Sequence, residues 1–288
     1  MSPNTTGAVF MMGSMIAFVM NDTFLKLTGG AIPLFQLIFL RSLLATVLIF
    51  ALLRNLSKLN YRLNRSDKNI IALRGISEIL TAYLFLTALF KMPLGNLNAI
   101  MQVVPLTVTL GSALVYREVV GWRRMLAIAI GLGGVLLIIR PGAEGFNIWS
   151  LYALGAVLGV TVRDLVTRRL SKDVPGMCVT LWTTIAVMVA AGLASLTQDW
   201  SPVSLPIVAC ICGSAFFVLI GYFFSIQAMR TGDVSFSAPF RYTGLIGAMI
   251  IGFILFDEVP KPLTLIGAAI VMGTGLFTFY RERKLSRA

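Results

Sequence analysis

Residues 121–142 read GWRRMLAIAIGLGGVLLIIRPG. Arg123 and Arg124 open the stretch, Arg140 closes it, and nothing between them can ionise. A helix rises 1.5 Å per residue, so an apolar run of about 20 residues crosses a hydrocarbon core. Runs of this kind recur near 7–29, 33–53, 70–90, 96–116, 123–139, 148–170, 177–197, 207–229, 234–256 and 262–280, which predicts ten transmembrane helices. The first is not a cleaved leader by this reading, because Asn21-Asp22-Thr23 stands where small residues would be needed.

Composition agrees with this reading. The chain is 57% hydrophobic and 12% charged, with a mean hydropathy of +0.87, whereas soluble domains carry roughly a quarter charged residues. The expectation is an all-α, multi-pass protein of the cell inner (cytoplasmic) membrane, with the lipid bilayer as its surroundings.

Ten spans place both termini on one side. Loops on that side hold Arg54, Lys58, Arg62, Arg65, Lys68 and Arg74; Arg117, Arg123 and Arg124; Arg168, Arg169 and Lys172; Arg230; and Arg281, Arg283, Lys284 and Arg287. These are 17 of the 24 Lys and Arg residues, against Lys91, Arg140 and Lys261 on the other side. The positive-inside rule makes the termini cytoplasmic. The formal charge of +12 is therefore a topology signal spread over every inner loop, and no nucleic-acid partner is expected. Cys178, Cys210 and Cys212 fall in apolar spans of a chain without His, so neither a metal site nor a cofactor is expected.

Displacing the chain by 140 residues lays Glu118-Val119 on Glu258-Val259, Gly133 on Gly273, and Leu86-Thr87-Ala88 on Ile226-Gln227-Ala228. A displacement of 142 lays Asp22 on Asp164, Lys26 on Arg168, and Ile32-Pro33 on Val174-Pro175. The chain reads as two five-helix halves, 1–142 and 143–288. Five is odd, so the halves are inverted, and inverted repeats place a solute site near the midplane between them.

Several stretches carry a family resemblance: Pro105-Leu106 through Glu118-Val119-Val120-Gly121-Trp122-Arg123-Arg124, Gly131-Leu132-Gly133-Gly134-Val135, Arg140-Pro141-Gly142, Ser237-Ala238-Pro239, and Asp257-Glu258-Val259 to Gly267-Ala268. By these the chain resembles the EamA family of the drug/metabolite transporter superfamily, ten-helix carriers of small organic solutes. The resemblance implies a carrier, with solutes ranging over amino acids, nucleotide-sugar-like and nucleoside-like compounds, S-adenosylmethionine, riboflavin and toxic organics. Asn21-Asp22, Leu40-Arg41 and Val162-Arg163-Asp164 look most like the branch labelled as S-adenosylmethionine uptake carriers.

Charge at bilayer depth is costly and marks function. Arg41 lies about 3 Å along the axis from the middle of its span, too deep to snorkel, and is expected to face the bundle interior. Glu78 is central in the third span, four residues after Arg74; it either handles solute or protons, or pairs with Arg74 or Arg41. Asp22 and Lys26 share a face of the first span, and Asp164 with Arg163 takes the matching place in the sixth. Asp22, Lys26, Glu78 and Asp164 are therefore candidates for coupling or gating, with an Asp164–Arg168 bridge as the structural alternative. Arg241 and Tyr242 follow Pro239, and Gln102 precedes Pro105, where a broken helix could line a wet cavity. The expected solute-binding set is Arg41, Glu78, Tyr83, Gln102, Arg163, Trp182, Tyr222, Arg241 and Tyr242. Glu118 and Glu258 are expected to favour the N-terminus of the helix that follows each, and the glycines of spans five, six and ten to permit close packing.

The deep charges sum to neutral or slightly positive, which favours an anionic or zwitterionic solute bearing a carboxylate, matched to the planar guanidinium fork. S-adenosylmethionine, a riboflavin-like aromatic solute or export of toxic metabolites are the alternatives. A chain with no nucleotide-binding Gly-x-x-x-x-Gly-Lys loop and no catalytic cluster is expected to be neither an ATP-driven pump nor an enzyme. A channel or scaffold is the remote alternative. Protons are an expected coupling partner, with exchange and facilitated diffusion equally open, and import, export, monomer and homodimer are all compatible with the sequence.

Overall fold

The computed structural model describes residues 2–55, 63–118, 120–140, 147–171, 174–231 and 234–285. Lys58, Arg62, Val119, Pro141, Gly142, Lys172, Arg287 and the expected junction at 142 and 143 lie outside them. The helices are α1 (Pro3–Leu27), α2 (Leu34–Asn55), α3 (Arg65–Lys91), α4 (Leu94–Met101), α5 (Val104–Tyr116), α6 (Trp122–Ile139), α7 (Trp149–Thr167), α8 (Gly176–Ser195), α9 (Leu205–Arg230), α10 (Val234–Ser237), α11 (Thr243–Phe256) and α12 (Pro262–Leu285). A 3₁₀ segment, Ala238–Tyr242, joins α10 to α11. Ten spans result: eight are single helices, the fourth is α4 with α5, and the ninth is the 3₁₀ segment with α11. No strand occurs among the described residues.

The third helix begins five residues earlier than its apolar run. Asn64 caps it, its side-chain oxygen accepting from the Asp67 N–H at 2.6 Å. At 27 residues the helix is about 40 Å long, longer than the hydrocarbon core, so its polar first turn projects beyond it. There Asp67 accepts from both the backbone N–H and the hydroxyl of Ser171, at 3.1 and 3.0 Å, tying α3 to the loop after α7.

Packing follows the repeat. The dominant helix pairs are α1 with α9, α3 with α7, α6 with α12, and α2 with α8. Exchanging the first five spans with the last five turns the α1–α9 pair into the α7–α3 pair, while α2–α8 and α6–α12 map onto themselves. This is the pattern of a twofold axis between two halves of five spans, which are necessarily antiparallel.

Close approach in α6–α12 rests on glycine: a Cβ at Gly134 would lie 3.0 Å from the Gly267 carbonyl oxygen. Gly131, Gly155 and Gly159 are likewise crowded by neighbouring side chains. Gly133 and Gly273 are not; a Cβ at either would meet nothing within 4 Å.

Instead of a proline kink, the fourth span has an interruption. Gln102 and Val103 stand between α4 and α5, with Pro105 in the first turn of α5, where its missing N–H costs nothing. Pro239 sits in the first turn of the 3₁₀ segment in the same way. The two half-spans also end alike: α5 on Arg117 and α11 on Asp257, both non-glycine residues in the left-handed region with φ of 55° and 52°. In each half the residue that follows is a glutamate, Glu118 or Glu258.

Candidate functional site

α1 is fixed against α9 by buried polar bonds. The Ser14 hydroxyl donates to the Gly221 carbonyl at 2.8 Å, and Ser214 donates to the Asn21 side-chain oxygen at 2.7 Å. The second bond fixes the orientation of the Asn21 amide, which donates to Asp22 Oδ1 at 2.9 Å. Asp22 is itself buried, with Asn98 of α4 as a further side-chain partner and Arg41 of α2 as the neighbouring cation.

A second group forms where α3, α7 and α9 face one another. Arg163 is its hub: Nε donates to Asp164 Oδ1 at 2.9 Å and Nη1 to Glu78 Oε2 at 3.3 Å. The Tyr222 hydroxyl donates to the other Glu78 oxygen at 3.4 Å, and its ring meets Phe18 edge-on at 5.4 Å. Arg74 donates to the Thr167 hydroxyl at 2.6 Å. Arg41 is an electrostatic neighbour of both Tyr222 and Asp22.

The structure thus brings together Asp22, Arg41, Glu78, Arg163, Asp164 and Tyr222. Arg74, which the sequence reading left with the inner loop, belongs with them, and its i,i+4 spacing to Glu78 was the available signal. Glu78 pairs with Arg163 rather than Arg74 or Arg41, and Asp164 pairs with its neighbour Arg163 rather than Arg168. Arg41, Arg74 and Arg163 stand with Asp22, Glu78 and Asp164, but among the described residues only Arg163 is ion-paired. The Nε atoms of Arg41 and Arg74 are buried without a hydrogen-bond partner, and Arg41 forms no ion pair among the described residues. A buried guanidinium so placed carries a penalty that an anionic group would relieve.

Gln102 and Arg241 meet elsewhere, at the crossing of the two interrupted spans, where the Gln102 amide donates to the Arg241 carbonyl over a long 3.5 Å. Tyr242 is buried beside them, its hydroxyl filling the space above Gly275. The remaining aromatic candidates lie off the cluster. Tyr83 stacks on Phe35 at 5.8 Å, about 140° around α3 from Glu78 at 100° per residue. Trp182 is exposed on α8 while its neighbours Leu181 and Thr183 are buried.

Lys26 belongs to a contact outside this group. Its ammonium reaches Glu258 Oε1 at 2.5 Å and the Met92 carbonyl at 2.7 Å, over the Phe256 ring. Glu258 Oε2 accepts from the Leu94 N–H at 2.7 Å, so it serves the N-terminus of α4 and not that of α12. The residues matching Lys26 and Glu258 in the repeat are Arg168 and Glu118, and they too are paired, at 3.3 Å. The Lys26–Glu258 side chains are 13% and 16% exposed on the face opposite the termini; those of Arg168 and Glu118 are 48% and 54% exposed on the face of the termini. One symmetric contact is closed and its mate is open to solvent.

Among the described residues no group of three His, Cys, Asp or Glu could hold a metal ion. The arrangement offers unpaired guanidinium N–H groups and a buried carboxylate, Asp22, for contact with a charged group.

A family model described as the EamA-like transporter family matches the chain twice, over residues 5–140 and 147–280. The S-adenosylmethionine uptake transporter of Rickettsia conorii is 24% identical over 282 residues, 97% of this chain and 94% of that protein. The riboflavin transporter of Vibrio cholerae is 26% identical over 286 residues, covering 98% and 95%. The pseudopaline exporter CntI of Pseudomonas aeruginosa is 23% identical over 279 residues, 93% of each. One crystal structure superposes with a TM-score of 0.64 at 16% identity over 98% of this chain and 99% of that one, a likeness of fold.

Proposed function

We propose that this chain, which belongs to the EamA-like transporter family and is a multi-pass membrane transporter rather than an enzyme, carries a small solute with an α-amino-acid or carboxylate head by alternating access. The observation that carries the reading is that Arg41 and Arg74 form no ion pair among the described residues and keep their Nε atoms buried without a hydrogen-bond partner. A carboxylate bound by Arg41 would pair that N–H. Asp22, held by Asn21 on the neighbouring side of Arg41, suits the ammonium of the same head group. Phe18 and Tyr222 offer aromatic faces to the rest of the solute. Arg241, Gln102 and Tyr242 are proposed as its far wall at the crossing of the interrupted spans. The halves meet at about residues 142 and 143 in this reading, and the termini are cytoplasmic.

S-adenosylmethionine is a specific second reading, because it carries such an amino-acid head and relatives bearing that name match nearly the full chain.

Purified protein in detergent should show a raised melting temperature with amino acids, carboxylates or S-adenosylmethionine, since a ligand at 100 times its Kd adds about 2.7 kcal/mol to the native state. Arg41→Ala should remove the shift while leaving the unliganded melting temperature near its starting value. Stabilisation only by simple cations or uncharged aromatics would refute the charge assignment.

Coupling is proposed to run through Asp22. Glu78 and Asp164 each hold Arg163, whereas Asp22 has hydrogen bonds but no ion pair among the described residues. In liposomes, Asp22→Asn should uncouple uptake from an imposed pH gradient while counterflow persists at a reduced solute affinity. Gradient-driven uptake at the original rate in that variant would remove Asp22 from the coupling role.

A further inference from the structure

A cavity of about 530 Å³ opens on the outer surface of α6 and α12, remote from the charged cluster. Its floor is made of small residues, Ala127 and Gly273, and open space surrounds the position a Cβ at Gly273 would take. Leu126 and Phe277 form apolar walls. The mouth is different in chemistry: Trp122 and Tyr280 flank it, and Arg123 and Arg281 stand there, Arg123 with its guanidinium 5.3 Å from the Trp122 ring centroid. Both arginines lie on the face of the chain termini, the first at the start of α6 and the second in the last turns of α12. Neither forms a carboxylate ion pair among the described side chains.

We propose that this groove is a binding site for one anionic phospholipid of the leaflet on the side of the termini. Apolar walls above a floor of small residues accept an acyl chain. Two guanidiniums at headgroup depth, between aromatic residues of the kind that sit at the membrane interface, accept the phosphodiester. The order along the groove, cationic and aromatic at the mouth and apolar within, matches a phospholipid from headgroup to tail. Basic pockets between transmembrane helices on the cytoplasmic side recognise anionic headgroups for this reason. The first turn of α6 has no side-chain cap and adds unpaired N–H groups at the same mouth.

The test is native mass spectrometry of the full chain with phosphatidylglycerol or phosphatidylcholine. The expected result is retention of one phosphatidylglycerol with a preference of roughly 10- to 30-fold, the combined weight of two basic residues at a membrane surface. The double substitution Arg123→Ala with Arg281→Ala should abolish the preference. Gly273→Leu, which adds bulk to the groove at a position where a Cβ meets nothing within 4 Å, should abolish retention while both arginines remain. The control Arg65→Ala with Lys68→Ala should change neither. Equal retention of the two lipids, equal loss in the control, or an unchanged preference in both groove variants would overturn the site. So would a dimer abolished by Gly273→Leu but indifferent to lipid, which would make a second copy of the chain the occupant.

Discussion

Arg163→Ala is expected to abolish transport and to destabilise the protein by about 3 kcal/mol or more, the cost of breaking a largely buried ion pair by removing one partner. Arg163 bonds to carboxylates on two helices, its own α7 and the facing α3, so its loss leaves Glu78 and Asp164 without their bonded guanidinium, beside Arg74, which makes no ion pair with either among the described residues. Arg163→Lys restores the charge without the planar fork and should recover part of the stability but little of the uptake. A neutral triple variant, Arg163→Leu with Glu78→Gln and Asp164→Asn, separates the two roles. Replacing a buried ion-paired trio with uncharged groups is often neutral or stabilising; Arg74 loses its neighbouring anions in this variant, so stability should return in part and transport should not. Thermal melting and liposome uptake of the three proteins decide this; an active triple variant would make the cluster a packing device.

The second large effect concerns the pair of symmetric contacts. Glu258→Gln removes the charge that joins Lys26 to the N-terminus of α4, and should shift the equilibrium away from the state closed on that face by about 1.5–3 kcal/mol, the usual worth of hydrogen bonds to a charged group. Glu118→Gln acts on the solvent-exposed mate and should change the same equilibrium by about 1 kcal/mol or less. A cysteine at Met101, in a background without Cys178, Cys210 and Cys212, reports the difference through labelling by an impermeant maleimide from the face opposite the termini. The rate should rise roughly 10-fold or more in Glu258→Gln and little in Glu118→Gln. Equal rates in both would mean that the two contacts do not gate. In this picture the inverted repeat supplies the same latch twice, and the solute site between them opens to whichever side is unlatched.

The repeat was legible in the sequence because it preserved Glu118 with Glu258 and Lys26 with Arg168. That these four residues form two equivalent ion pairs was not legible, since each pair joins a residue of one half to a residue of the other. The sequence reading sent Glu118 and Glu258 to the helices following them, and the left-handed ends at Arg117 and Asp257 direct the chain differently. Proline at 105 and 239 marked the fourth and ninth spans as irregular, but proline alone could not distinguish a kink from the interruption seen at Gln102–Val103.

The deep charges divided along the same line. Asp22, Arg41, Glu78, Arg163 and Asp164 could be named from their positions in apolar runs, and they assemble into one region. Arg74 was assigned to a loop because the polar start of α3 resembles a loop in composition. Tyr83 and Trp182 are expected from the sequence as aromatic walls, yet neither lies on the cluster.

The sequence by itself determined the ten spans, their order and the two halves, because a segment in hydrocarbon must satisfy its own backbone hydrogen bonds and so reveals itself through local length and hydropathy. Only the tertiary structure decided which charge meets which. That depends on how far each helix is rotated about its axis and on which neighbour it packs against, and both are fixed by small residues and buried polar bonds, such as Gly134 on Gly267 and Ser214 on Asn21, that lie more than a hundred residues apart in the chain.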